Sequence, residues 1–198
     1  MPQSKKSVNI VAINGSIRPN SYTGMALSIV VDELKKRPQL SVKIIDPKDT
    51  GLQLPGLKDG ESASQKLQET VSNATGIILS TPEYHGSYSS VIKLIIDNLG
   101  FPSVLSGKPV ALLGVASGQI GAIKALEHLR SVCSHVGAIV LPSPVSVANV
   151  ESIFDQQGKC RDKKMETRIR SLANNLIDYI EQNICPRITL EELVREKL

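Results

Sequence analysis

The stretch from Gly76 to Gly100 constrains this chain most, because its hydrophobic period changes twice within one short span. Ile77 to Leu79 is an apolar run without polar alternation, the pattern of a strand buried on both faces of a parallel sheet. Thr81 to Tyr88 then turns polar and aromatic around Pro82 and Gly86. From Ser89 the period becomes helical, with Val91, Leu94, Ile95 and Leu99 spaced to share one face and Gly100 placed as a C-cap. Strand, polar loop and helix in that order put the loop at the carboxyl end of the strand. Open α/β sheets bind their ligands there.

The same alternation runs along the chain. Val8 to Ile13 reads as a first strand, Thr23 to Lys36 as a helix stopped by Arg37-Pro38, and Val42 to Ile45 as a second strand. A Pro- and Gly-rich loop from Asp46 to Glu61 leads to a helix over Ser62 to Asn73 and a third strand at Ile77 to Ser80. Pro109 to Ala116 reads as the fourth strand, Ile120 to His135 as a helix and Ala138 to Leu141 as the fifth strand. An irregular stretch from Pro142 to Gly158 and a final helix over Asp162 to Asn183 complete the pattern. Strands at βα spacing predict an α/β fold, a doubly wound five-stranded parallel sheet with helices on both faces and strand order 2-1-3-4-5. No repeat, low-complexity tract or linker interrupts it, so residues 1–198 are expected to form one domain with a short charged tail from Pro186 to Leu198. That tail is expected to pack loosely or against another subunit.

Composition narrows the function classes. Hydrophobic residues make up 41% and charged residues 21%, ordinary for a globular chain. The net charge of +4 comes from scattered basic residues, which fits mild attraction for small anions better than a nucleic-acid footprint. Cys133, Cys160 and Cys185 are odd in number and widely spaced, which favours reduced thiols in a cytoplasmic protein over disulfides or a zinc site. The start, Met-Pro-Gln-Ser-Lys-Lys, has no signal-peptide core, and no apolar run approaches the roughly 20 residues of a membrane span.

In order 2-1-3-4-5 the loops after strands 1, 3 and 4 converge on one crevice. The first, Asn14 to Thr23, offers the hydroxyls of Ser16, Ser21 and Thr23, the guanidinium of Arg18, and a helix N-terminus beside Tyr22. Charge, forked donors and a helix dipole are what a dianionic phosphate needs. A plain helix cap would need one hydroxyl and no arginine. The second loop, Pro82-Glu83-Tyr84-His85-Gly86, can present backbone N–H groups and an aromatic face to a flat ring. The third, Ser117-Gly118-Gln119-Ile120-Gly121, lets backbone lie against the same ring. No G-x-G-x-x-G follows the first strand, and the nearest approach to a P-loop, Gly51 to Lys58, has Leu57 where Lys is required. The phosphate is therefore expected to be that of a mononucleotide.

Gly15-Ser16-Ile17-Arg18 with Ser21, then Thr81-Pro82-Glu83-Tyr84, then Ser117-Gly118 with Gly121, resembles the NADPH-dependent FMN reductase family. These are flavodoxin-like flavoproteins that include quinone, azo-dye and chromate reductases. The resemblance runs from the first strand through the fifth. It implies that Ser16, Arg18, Ser21 and Thr23 hold the FMN phosphate, with Tyr22 beside them. It also implies that Pro82, Glu83, Tyr84, His85 and Gly86 line the isoalloxazine, and that Ser117, Gly118 and Gly121 close its other side. Many members carry Asn at the position of His85, a larger residue at Gly86, and Asn where this chain has Thr23. The implied function is an NAD(P)H-dependent reductase of quinones, azo compounds or similar small acceptors, assembled as a homodimer or homotetramer. The alternative is an electron carrier reduced by a partner protein. With no metal cluster, nucleophile or acid–base dyad in view, the flavin itself is expected to carry the chemistry, His85 being a possible proton donor. With one crevice and no second nucleotide fingerprint, donor and acceptor are expected to bind in turn, in a ping-pong mechanism.

Overall fold

Strands that are apolar on both faces need cover on both sides, and the order of elements supplies it. The computed structural model describes residues 8–57, 61–186, 188 and 191. Along them run β1 (Val8–Asn14), α1 (Tyr22–Lys35), β2 (Leu40–Ile45), α2 (Glu61–Ser72), β3 (Gly76–Tyr84), β4 (Ser87–Tyr88) and α3 (Ser90–Asp97). Then come β5 (Pro109–Val115), α4 (Ile123–His135), β6 (Ile139–Val140), β7 (Val145–Val147), α5 (Val150–Ile153) and α6 (Lys163–Tyr179). The parallel path runs β2-β1-β3-β5-β6. Because β4 is an antiparallel stub on β3, this is the expected 2-1-3-4-5 order of parallel strands.

Alternate strand residues feed two cores. Ile10, Ala12, Ile78, Ala111, Leu113 and Val115 pack with α1 and α6 on one face. Val11, Ile13, Ile77, Leu79, Val110 and Leu112 pack with α2, α3 and α4 on the other. The α1 and α6 layer is also held by charge. Arg170 of α6 donates to Asp32 (2.6 Å) and Glu33 (3.1 Å) of α1, and to Glu166 on its own helix (2.8 Å).

The structure departs from the sequence expectation in five places. Residues Thr81 to Tyr88 are not an open loop: β3 continues to Tyr84 and turns back through His85 and Gly86 into β4. The fifth strand is split, β6 pairing with the start of β5 and β7 with its end. Pro142 and Pro144 lie between the two pieces, where a residue without an N–H cannot continue a ladder. The stretch expected to be irregular therefore contains β7 and α5. In α3 the buried face is Ile92, Ile95, Ile96 and Leu99, with Val91 and Leu94 only partly covered, and the helix ends before Leu99. Helix α6 starts at its cap Asp162, whose carboxylate accepts from Lys164 and Met165 N–H, but its continuation from Ile180 to Ile184 is a π-helical turn. The first seven residues and most of the charged tail lie outside the described residues.

Candidate functional site

The ends of β1, β3 and β5 meet at one edge of the sheet, and the segments beyond them surround an open cleft of about 210 Å³. Its lining includes Ser16, Arg18, Ser21, Tyr22 and Thr23 from the first segment, Pro82, Glu83 and Tyr84 from the second, and Ser117 from the third. Pro19, Asn20, Val115, Ala116 and Val150 complete it.

The first loop is fixed by its own polar groups. A Cβ on Gly15 would collide with the Ser80 carbonyl oxygen and stand 2.6 Å from Ile92 Cγ1, so only glycine lets the chain pass there. The peptide between Gly15 and Ser16 is clamped at both ends. Ser89 Oγ donates to the Gly15 carbonyl (2.7 Å), and Ser16 N–H donates to Asn14 Oδ1 (3.2 Å). Ser16 Oγ accepts from Arg18 N–H (3.3 Å), and Ser21 Oγ accepts from Gly24 N–H (3.1 Å) as the cap of α1. A hydroxyl that accepts a backbone hydrogen bond keeps its own proton to give. Ser16 and Ser21 thus serve the backbone and still present O–H donors to the cleft. Tyr22 and Thr23 open α1, whose first N–H groups have no partner within the helix and whose first turn holds no acidic residue. This donor set fits a phosphate.

Beside it, the Arg18 guanidinium carbon lies 5.1 Å from the centre of the Tyr84 ring, a cation–π contact that bridges the first loop to the hairpin. Tyr22 in turn rests on buried Phe154, ring centres 6.3 Å apart. The cleft is smaller than the roughly 300–1,000 Å³ of a typical small-molecule pocket. A flat ring attached to the phosphate would therefore lie along the exposed Tyr84 side, not within an enclosed chamber.

The hairpin is braced from both flanks. His85 (φ 50°) and Gly86 (φ 73°) both take positive φ, as a two-residue I′ turn between twisted strands requires. Ser89 N–H donates to Thr81 Oγ1 (3.0 Å), tying the hairpin base to the residue that clamps Gly15. Glu83 Oε2 accepts from Ala125 N–H (3.0 Å), serving α4, which has no side-chain cap of its own. Ser87 Oγ lies 3.1 Å from His128 Nδ1, so His128 braces the hairpin and is not an isolated surface residue.

His85, Gly86, Gly118 and Gly121 stand outside the cleft lining. His85 and Gly86 form the exposed hairpin tip. The Gly118 carbonyl accepts from Gly121 and Asn149 N–H. A Cβ on Gly121 would collide with Ser146 Oγ and meet Ala148 Cβ at 3.3 Å, which places that glycine against the end of β7. Asn14 and Ser89, which hold the Gly15–Ser16 peptide, are residues that the sequence reading misses. A strand-end Asn before Gly and a Ser opening a helical run could have marked them, whereas nothing in the sequence marks Val150. Cys133 is buried and its thiol is pushed up to about 12 by that burial, which makes it inert packing. Among the described residues no group of three His, Cys, Asp or Glu side chains could hold a metal, and no helix is long and apolar enough to cross a membrane.

Known proteins resemble this chain in sequence and in fold. The family model described as NADPH-dependent FMN reductase matches residues 8–152. An NAD(P)H-dependent FMN reductase of Pseudomonas aeruginosa is 29% identical over 168 residues, covering 82% of this chain and 90% of that one. An FMN-dependent NADPH-azoreductase of Staphylococcus aureus is 27% identical over 180 residues, covering 86% and 94%. In fold, the chain is similar to the flavoenzyme NAD(P)H:(acceptor) oxidoreductase FerB of Paracoccus denitrificans, with a TM-score of 0.76 at 23% identity over 88% of this chain and 98% of that one.

Proposed function

Because the chain belongs to the NADPH-dependent FMN reductase family, whose members are FMN-containing NAD(P)H reductases, we propose that the cleft at the ends of β1, β3 and β5 is its FMN site and that the enzyme reduces quinones, azo compounds or similar small acceptors. The observation that carries this reading is the donor set of the first loop. Ser16 and Ser21 keep protons to donate after serving the backbone, and Arg18 and the α1 N-terminus add charge. In this reading Ser16, Arg18, Ser21 and Thr23 hold the phosphate with Tyr22 behind them. Pro82, Glu83, Tyr84 and Ser117 flank the ring, while His85, Gly86, Gly118 and Gly121 shape its open rim.

FMN, when bound, supplies the redox chemistry, taking a hydride from a nicotinamide and returning two electrons to an acceptor. The chain's own residues bind and orient. The clamp of Ser89 and Asn14 on the Gly15–Ser16 peptide holds the phosphate donors in place before any ligand arrives. The Glu83 contact with α4 fixes the height of Tyr84 beside the ring. No side chain within reach is needed as nucleophile or metal ligand. Since one open face serves both substrates, donor and acceptor take turns on it. Exposed Ile17 (56%), in the first loop, and Ile120 (75%) and Ile123 (47%), which follow Ser117 of the cleft lining along the chain, support a homo-oligomer whose subunits wall one another's sites.

Purified protein loaded with FMN is the test. NADPH or NADH added without any partner protein is expected to bleach the yellow colour. A flavin that stays oxidised until a second protein is supplied would return the electron-carrier reading.

A further inference from the structure

The corner between the hairpin tip and α4 carries positive charge that the FMN site does not use. Gly86 is bare at that corner. A Cβ built there would lie 3.5 Å from Lys124 Cδ, so the lysine stem runs directly beneath the tip and any larger side chain at residue 86 would lie across it. Among the described residues the Lys124 ammonium makes no hydrogen bond or ion pair, and Glu127 one turn further along α4 does not engage it. The nearest acid on the hairpin, Glu83, is committed to Ala125 N–H. His128 is held against Ser87 one turn above Lys124, and the exposed His85 closes the tip. A long, free cation is thus displayed at the rim of the open side. The phosphate-loop donors belong to the first segment, and Lys124 is not among the residues that line the cleft.

NADPH and NADH differ only by the 2′-phosphate on the adenosine ribose, so a preference between them needs a cation outside the cofactor's own phosphate site. Resting on the function proposed above, we propose that Lys124, uncovered by Gly86, receives this 2′-phosphate and makes the enzyme prefer NADPH. His85 and His128 border the same corner.

The test uses the FMN-loaded protein titrated calorimetrically with adenosine 2′,5′-bisphosphate and with adenosine 5′-monophosphate. The bisphosphate is expected to bind about tenfold tighter, the worth of one charged contact. Lys124→Gln should erase that advantage without changing the FMN dissociation constant, and should raise the KM for NADPH but not for NADH. Gly86→Asn, tolerated at positive φ, should reduce the advantage by covering the lysine. Equal binding of the two nucleotides to the unaltered protein, or an advantage that survives Lys124→Gln, overturns the proposal while leaving FMN reduction intact. If neither NADPH nor NADH bleaches the flavin, the proposed function falls and this inference falls with it.

Discussion

Arg18 and Tyr84 belong to segments far apart in sequence, yet the guanidinium of one stands 5.1 Å from the ring centre of the other across the cleft mouth. The arginine can therefore act on two parts of a mononucleotide, its phosphate and its ring. Arg18→Ala is expected to weaken FMN binding by roughly 1.5–3 kcal/mol, about tenfold to a hundredfold. Riboflavin, which has no phosphate, should lose much less. Fluorescence titration of both ligands checks this, and an unchanged FMN dissociation constant in the folded variant would remove Arg18 from the site.

Ser89 is 2% exposed, caps α3 through Ile92 N–H and clamps the Gly15 carbonyl with the same hydroxyl. Ser89→Ala leaves both groups short of a partner and should cost roughly 1–3 kcal/mol of stability. It should also loosen FMN more than riboflavin, because the clamp orients the phosphate loop. Ser89→Thr keeps a hydroxyl and is expected to restore most of both. A variant with lower thermal stability and unaltered FMN affinity would reduce Ser89 to a helix cap.

The Arg170 cluster sets a pH dependence. Asp32 is held below the usual carboxylate range chiefly by its hydrogen bond to Arg170, and Glu33 by Lys36 first and Arg170 after it. Depressed folded pKa values contribute stability that is present above the unfolded carboxylate values near 4 and is lost as pH falls through the folded ones. Asp32 and Arg170 are partly exposed, so Arg170→Ala should lower stability at pH 7 by only about 1 kcal/mol. Urea unfolding from pH 7 down to about pH 2 should show the gap to the unaltered protein closing. A gap that is constant or widens with acid would contradict the assignment.

Shared use of one open face predicts the steady-state kinetics. Double-reciprocal plots against NADPH at several quinone concentrations should give parallel lines, with high quinone competing against NADPH. Intersecting lines with a detectable ternary complex would require a second binding surface.

Ile120 and Ile123, both exposed, predict an assembly larger than the monomer at micromolar concentration, measured by light scattering. Ile120→Lys with Ile123→Lys should shift that mass downward and alter acceptor selectivity. A monomeric unaltered protein would leave the site walled by one chain alone.

Much of the fold is legible in the sequence because period and punctuation agree. The central strands are apolar on both faces, and the three binding segments begin where apolar runs stop, at Asn14, Thr81 and Ala116. The hairpin escapes such a reading because its turn uses His85 where Asn or Gly normally signals positive φ. In α3 the run Val91-Ile92-Lys93-Leu94-Ile95-Ile96 allows two faces, and only packing against Gly15 and the sheet selects Ile92 and Ile96. Pro142 and Pro144 mark where the fifth strand's ladder breaks, but that β5 pairs with both pieces, one at its start and one at its end, is not encoded locally. The role of Ser89 needs a partner in the first loop, a contact that spacing along the chain does not reveal.

The contact between Tyr22 and Phe154 bears on where this chain can be cut. The match to the family model ends at residue 152, while the ring beneath the phosphate loop and the helix that covers α1 both lie beyond it. A chain trimmed to the shared region would expose Ile10, Ala26 and Val30 to water and leave Tyr22 without its floor. Any chimera that borrows the cofactor loops must therefore import the segment through Ile180 with them, since the family model marks a shorter span than folding does.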